Sequence, residues 1–349
     1  MFSIKKYINS FFQPSSNQLG PFSNLKVALI ADALTQSSLE VECQVKNLTP
    51  SNYIKIIREW KPDLLFVESA WQGFRNSWRY RVASYPEHLN RNNELLRCVV
   101  QMANGEGIPT VFWNKEDDVH YHRFISSAQL FDYIFTVDGN CVEKYIKDAP
   151  SVKRVGTLMF PVQPRFHNEI AESSPITGFS CFVGSYGRHV HERRRTWQDM
   201  LFEAFSSGGV DVYDRNSYRK AEHYRYPVVP GLKVLPSVPY RKTAEIYRRY
   251  KFNLNVNTIE QSPTMYSRRL IEILAVGGVA ISTPSAAVSR LFSDYCTIVD
   301  SPDSVRQVLE WSNSEYVAAK ERAHQGAMSI AAQHTWRNRL AQLEDVRIF

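Results

Sequence analysis
Ser51-Asn-Tyr-Ile-Lys-Ile-Ile-Arg-Glu-Trp60, Lys61-Pro-Asp63 and Leu64-Leu-Phe-Val-Glu68 follow one another without a gap. The first run has helical spacing of apolar residues, the second breaks it, and the third is a short apolar run of strand length. A helix leading through a tight breaker into a strand buried on both faces is the repeating unit of a parallel α/β sheet. Upstream, Lys26–Ala31 (KVALIA) is another such strand. Downstream, Glu94–Asn104 predicts a helix stopped by Gly105 and Gly107, Pro109–Trp113 a strand, Asp132–Val137 a fourth, and Val152–Val155 a fifth.

The rhythm breaks over Leu158–Pro175, which holds three prolines and the acidic, serine-rich Glu169–Ser174. It then resumes with strands at Gly178–Gly184, Val210–Asp214, Phe252–Val256 and Val279–Thr283. Helices are expected at about Glu192–Phe205, Thr243–Tyr250, Met265–Val276 and Val305–Trp311. The reading is an appendage over 1–22, an α/β domain over 23–160, a linker over 161–176, a second α/β domain over 177–333, and a crossover segment over 334–349. Two such sheets place ligands in the cleft at the carboxyl ends of their strands.

Composition narrows the class. The 349 residues suit two domains, and 44% apolar residues supply real cores. No run reaches the roughly 18 apolar residues of a membrane span, and Met1–Ile8 lacks the form of a secretion signal, so a cytoplasmic protein is expected. Five scattered cysteines without a Cys-x-x-Cys pair argue against both a disulfide framework and zinc. In the appendage Ile4, Tyr7, Ile8, Phe11 and Phe12 share one helical face beside Lys5 and Lys6. That face suits its own protein, a partner, or a membrane surface reached through residues 2–12. The net charge of +7 suits nucleic acid, anionic membrane or phosphorylated ligands. No nucleic-acid module is present, and nucleic acid is not an expected partner.

Three stretches carry chemistry. In Glu260-Gln-Ser-Pro-Thr-Met-Tyr-Ser-Arg-Arg-Leu-Ile-Glu-Ile-Leu-Ala-Val-Gly-Gly, Ser262 reads as an N-cap with Pro263 at the first helical position. Arg268 and Glu272 stand four apart, within pairing reach. Alternatively, the guanidinium grips a phosphate and the carboxylate accepts from ribose hydroxyls. Phe182-Val-Gly-Ser-Tyr-Gly-Arg, leading into His189-Val-His-Glu-Arg-Arg-Arg, puts Gly184, Ser185, Arg188 and Arg193 where a phosphate would lie. In the first half, Phe66-Val-Glu-Ser-Ala-Trp-Gln-Gly and Phe112-Trp-Asn-Lys-Glu-Asp-Asp-Val-His-Tyr-His offer Glu68, Glu116, Asp117, His120 and His122 as general bases or acceptor contacts. The histidines read equally as ordinary loop residues. Glu116-Asp-Asp invites a metal, but three adjacent carboxylates cannot all face one ion without special turns, so no metal and no cofactor are expected.

Together these motifs, with Asp132-Tyr-Ile-Phe-Thr and His334-Thr-Trp-Arg, resemble the spore-maturation-type glycosyltransferases, relatives of glycosyltransferase group 1, over about residues 25–340. The resemblance implies the GT-B architecture, a nucleotide-sugar donor, and transfer to a cell-surface glycan or lipid-linked acceptor. It implies that Glu272 is the second glutamate of the Glu-x7-Glu signature and binds donor ribose. Arg268 looks like the subgroup's arginine, and Gly277 like its closing glycine. The first glutamate of that signature falls on Thr264, a departure from the pattern. A nucleotide-sugar epimerase and a non-catalytic sugar- or nucleotide-binding partner are the alternative readings.

Overall fold
The structure, a computed structural model, describes residues 20–169 and 175–349. The amphipathic face read over residues 2–12 lies outside the described residues, as does 170–174 of the expected linker. Among the described residues, the strands form two parallel six-stranded sheets. The first has the order β2-β1-β3-β4-β5-β6, built from β1 (Lys26–Ile30), β2 (Gln44–Asn47), β3 (Leu64–Glu68), β4 (Thr110–Asn114), β5 (Tyr133–Thr136) and β6 (Arg154–Thr157). The second has the order β12-β11-β10-β7-β8-β9. Its strands are β7 (Gly178–Gly184), β8 (Val210–Asp214), β9 (Leu232–Leu235), β10 (Tyr250–Asn255), β11 (Ala280–Ser282) and β12 (Thr297–Ile298).

Pleating sends alternate residues of each central strand into different cores. In β1, Val27 and Leu29 enter one cluster while Ala28 and Ile30 enter another. In β7, Cys181 and Val183 join Val27's cluster, and Phe182 lies in a third. One apolar core therefore runs continuously through both domains, with a separate core on the far face of each sheet.

The helix Trp336–Asp345 lies against the first domain although it follows the second. Thr335 pairs with Val162 in an isolated parallel bridge. Trp336 packs edge-on against Trp113 at 5.5 Å and Phe66 at 6.4 Å. Arg339 and Gln342 donate to the carbonyls of Met159 and Thr157. Among the described residues, no helix is long and apolar enough to cross a membrane.

Candidate active site
The carboxyl ends of the two sheets face each other, and the second sheet supplies a cavity of about 210 Å³. Ser185, Arg194, Arg215, Thr258, Arg268 and Arg269 line it, with Phe160 from the first half at one side. Each arginine is delivered by a strand end. Arg215 follows β8, Arg194 sits in the first turn of the helix Glu192–Phe205, and Arg268 and Arg269 open the helix Arg268–Ala275.

Arg269 is buried and donates from Nε to the Val183 carbonyl at 2.6 Å. Its Nη1 reaches Asn255 Oδ1 at 3.3 Å, and the guanidinium lies over the Phe182 ring at 4.1 Å. Burial pushes it down to about 10. Gly184 makes room for it: a Cβ there would stand 2.7 Å from an Arg269 Nη. Arg194 donates from Nη2 to the Ser185 carbonyl at 3.1 Å, while its Nε is buried without a partner. Arg268 rests over the Phe160 ring at 4.8 Å. Among the described residues, no carboxylate lies within 4.0 Å of any of these four guanidiniums. Arg269 is buried, Arg194 and Arg268 are half-buried and Arg215 is exposed. For the buried member a charge without a counter-charge is costly, and an anion is the species that would offset it.

Beside the arginines lies a second set of unsatisfied groups. Glu272 is fully buried, and its Oε2 accepts from the Tyr247 hydroxyl at 3.2 Å. Glu272 Oε1, His167 Nδ1 and the Tyr240 hydroxyl are buried without hydrogen-bond partners. His167 Nε2 meets Thr243 Oγ1 at 2.8 Å, and its ring is 4.9 Å from that of Tyr240. Burial holds His167 below its usual range despite the pull of Glu272. Native interiors seldom leave three such atoms unpaired. None of the three residues is among those that line the cavity.

Two expectations for this segment need correction. No helix starts at Ser262: it starts at Arg268, behind Ser267. Ser262 instead donates to Asp138 Oδ1 at 2.6 Å and accepts from the Met265 amide, so its hydroxyl closes a turn against the opposite domain. Nor do Arg268 and Glu272 pair, because Arg268 turns to Phe160 and Glu272 to Tyr247. Thr264, at the position of the signature's first glutamate, accepts from the Gly139 amide and donates to the Val137 carbonyl.

The remaining residues divide by position. Arg188 is exposed and donates to the Arg225 carbonyl. Arg193 pairs with Glu260 at 3.0 Å on the outer face. Neither lines the cavity; Arg194 and Arg215 do, and sequence reasoning passed over both. The Arg193-Arg194-Arg195 run was the available signal, since successive helical residues point about 100° apart and one must face inward.

Across the cleft, Glu68 is fully buried and fully engaged. Its Oε1 accepts from the Asp32 amide, its Oε2 from the Thr35 hydroxyl, both at 2.6 Å. Lys115 Nζ stands 3.3 Å from both Glu68 and Asp32, and 3.9 Å from Glu116. Burial opposes the Lys115 charge, but Glu68, Glu116 and Asp32 outweigh it and hold the ammonium above its usual range. Asp117 is also buried, accepting from Asn114 Nδ2 and Thr136 Oγ1 at 2.7 Å and from the Tyr145 hydroxyl at 3.0 Å. Burial pushes it up to about 7. Both carboxylates thus stand behind the cleft wall.

Glu116 and His120 lie nearer the opening, with His120 edge-on to Trp71 at 5.0 Å. His122 is exposed. Facing them from the second domain is His191, whose range is lowered by burial, Arg194 and His120 and raised by Glu116. Burial likewise lowers His120. The cleft therefore gathers two imidazoles, both held below their usual range, and the Glu116 side chain. Among the described residues, no group of three His, Cys, Asp or Glu is arranged to hold a metal ion.

Residues 218–345 match the family model described as glycosyl transferase-like. No curated protein matches the chain in sequence. Among solved structures, an alpha-glucosyltransferase in complex with UDP and a 13-mer DNA containing an HMU base superposes with a TM-score of 0.64. That match covers 93% of this chain and 98% of the other at 11% identity. The DNA-modifying beta-glucosyltransferase, solved with and without uridine diphosphoglucose, gives 0.54 over 92% and 99% at 12% identity. Sucrose-phosphate synthase from Thermosynechococcus elongatus gives 0.53 over 85% and 76%, also at 12% identity. The fold is the GT-B architecture of glycosyltransferases. The glycosyl transferase-like match lies over the second sheet's later strands and the helices that follow them.

Proposed function
We propose that the protein transfers a sugar from a nucleoside-diphosphate sugar to a hydroxyl of a glycan or lipid-linked acceptor, without a metal, as a relative of the spore-maturation-type enzymes. The observation that carries this reading is the cavity walled by Arg194, Arg215, Arg268 and Arg269 with no carboxylate among its lining residues. Those guanidiniums would neutralise the leaving diphosphate, the charge that develops as the glycosidic bond breaks. Glu272, His167 and Tyr240 would take the ribose hydroxyls. Glu116 and His120, with His191 opposite, would orient the acceptor hydroxyl and take its proton. Glu68 and Asp117 would hold the loops that carry those groups. Two known neighbours of this fold were solved with a uridine nucleotide, which makes UDP the first ligand to try.

A thermal-shift panel of UDP, GDP, CDP, CMP, ADP and dTDP with their sugar conjugates tests the donor site, since a ligand of the native state raises Tm by mass action. One nucleoside diphosphate should give a clear shift. A cooperatively melting sample that responds to none of them would overturn the reading. The second reading, a non-catalytic nucleotide-sugar binder, rests on Thr264, whose hydroxyl occupies the signature's first acidic position and is spent on interdomain bonds. Donor binding with no nucleotide released in the presence of any acceptor would select it.

A further inference from the structure
The basic residues are gathered at the mouth of the cleft. Three loops leave the carboxyl ends of β3, β7 and β8: residues 69–93, 185–195 (which runs into the following helix) and 215–231. They hold twelve of the chain's 42 lysines and arginines but only three of its 35 acids, Glu87, Glu192 and Glu222. On the first domain's lip, Arg75, Arg79 and Arg81 are exposed. Arg79 and Arg91 both lie over Tyr80, at 4.6 and 4.1 Å. On the second domain's lip, Arg219 lies over Tyr224 at 4.6 Å, and His189 and His223 meet edge-on at 4.1 Å beside the same ring. Among the described residues, Arg75, Arg79, Arg81, Arg91, Arg188, Arg219, Lys220 and Arg225 have no carboxylate within 4.0 Å. Solvated single charges are ordinary. Two unpaired sets flanking one cleft, on loops that hold only three acids, are a field that concentrates polyanions, although Glu116 and Asp118 add acidic charge on the loop after β4.

We infer that these lips are the binding surface for an acceptor chain whose backbone repeats phosphodiesters, a phosphate-linked glycan of the teichoic type. The inference rests on the transferase reading for the acceptor role but not for the binding itself. A neutral acceptor gains nothing from the lips, whereas a chain with spaced phosphates engages both while one of its hydroxyls reaches Glu116 and His120. The ring faces favour a glycan over single-stranded nucleic acid. Stacking of bases needs open aromatic platforms, and here Tyr80 is covered by two guanidiniums and Tyr224 by one guanidinium and two imidazoles. Tyr218 on the second lip is the exposed ring. Around it the lips present mainly guanidinium N–H groups, which suit phosphate oxygens.

The test measures binding of a labelled poly(glycerol phosphate) oligomer to the full chain at about 50 mM and about 200 mM salt. Neutral dextran and single-stranded DNA of equal charge are run alongside. One variant on each lip, R79S/R91S and R219S/K220S, is assayed by the same titration and by thermal melting with the nucleotide panel. The oligomer should bind at low salt and weaken roughly tenfold or more at the higher salt. Each lip variant should lose roughly tenfold of that affinity while keeping the wild-type Tm and nucleotide shift. The inference is overturned if the oligomer fails to bind, if dextran binds as well, if DNA binds as tightly or more tightly, or if both folded variants bind like wild type. Failure of the donor reading shows separately, as silence of wild type in the nucleotide panel.

Discussion

The hydroxyl of Thr264, in the second domain, lies 2.7 Å from the backbone nitrogen of Gly139 in the first and 2.8 Å from the carbonyl oxygen of Val137. One side chain thus satisfies a donor and an acceptor of the opposing loop. Ser262 adds a bond to Asp138, and Asn140 returns one to the Gln261 carbonyl. These contacts hold the two strand-end surfaces against each other. Thr264→Val keeps the shape and removes both bonds, at a cost of about 1–3 kcal/mol. The variant should have a lower Tm and a larger radius of gyration by small-angle scattering. If neither changes, the bonds do not hold the domains together.

Arg194→Gln should separate stability from binding. The arginine's Nε is buried without a partner and no acid offsets its charge, so the ligand-free variant should melt at or above the wild-type temperature. Its affinity for the nucleoside diphosphate identified by thermal shift should fall about tenfold to a hundredfold, the worth of a charge-assisted bond. Arg193→Ala, which breaks the surface pair with Glu260 and the contact with the Trp197 ring, should leave that affinity within about twofold. Reversed effects would move the phosphate site outward.

Glu272→Gln tests the hydroxyl-binding set. Glu272 Oε1 has no protein partner, and Oε2 has only the Tyr247 hydroxyl, which an amide oxygen can also accept from. The fold should survive, while calorimetry should show donor-nucleotide affinity reduced roughly tenfold. Unchanged affinity in a folded variant would remove Glu272 from the donor site.

Asp117 should make stability depend on pH. Burial raises its carboxyl from the ordinary 3.8 to about 7, against the lowering effect of the Thr136 and Tyr145 hydroxyls. The folded form therefore keeps a proton that the unfolded chain releases near pH 4. Stability is highest below that point and is eroded as pH rises toward 7, by an amount on the order of 4 kcal/mol at most. Asp117→Asn, which resembles the neutral acid, should flatten urea-derived stability between about pH 4 and pH 7. An equal slope in both proteins would mean that Asp117 is ionised in the folded state.

The sheets were readable from the chain because their central strands are buried on both faces. Leu64–Glu68 and most of Gly178–Gly184 are buried in this way, Val210–Asp214 alternates buried with half-buried residues, and all three appear with the bounds their composition suggests. The strands that left no mark, β2, β9 and β12, are all sheet edges. Lys46 and Lys233 interrupt two of them, and the third has two residues, so neither length nor apolar run announces them. The helix Asn313–Gln333 was equally quiet. Its buried side is made mainly of Ala319, Ala323, Gly326 and Ala327, small residues that trace no apolar stripe. Site chemistry was legible as residue type, in arginine runs beside glycines at strand ends. Which arginine faces inward was not, because that depends on where the helix begins. At Ser262 the local capping signal lost to hydrogen bonds from a loop more than 120 residues away.

Trp336 wedged against Phe66 and Trp113 has a consequence for the order in which the protein is made. The first domain's own chain has left the ribosome long before residue 336 is added, yet that indole and the Thr335–Val162 bridge belong to its interior. During synthesis the nascent first domain carries an apolar socket that nothing translated so far can fill, a surface a holding chaperone would recognise. Any fusion or truncation near residue 336 would be felt first in the half of the protein that was built earliest.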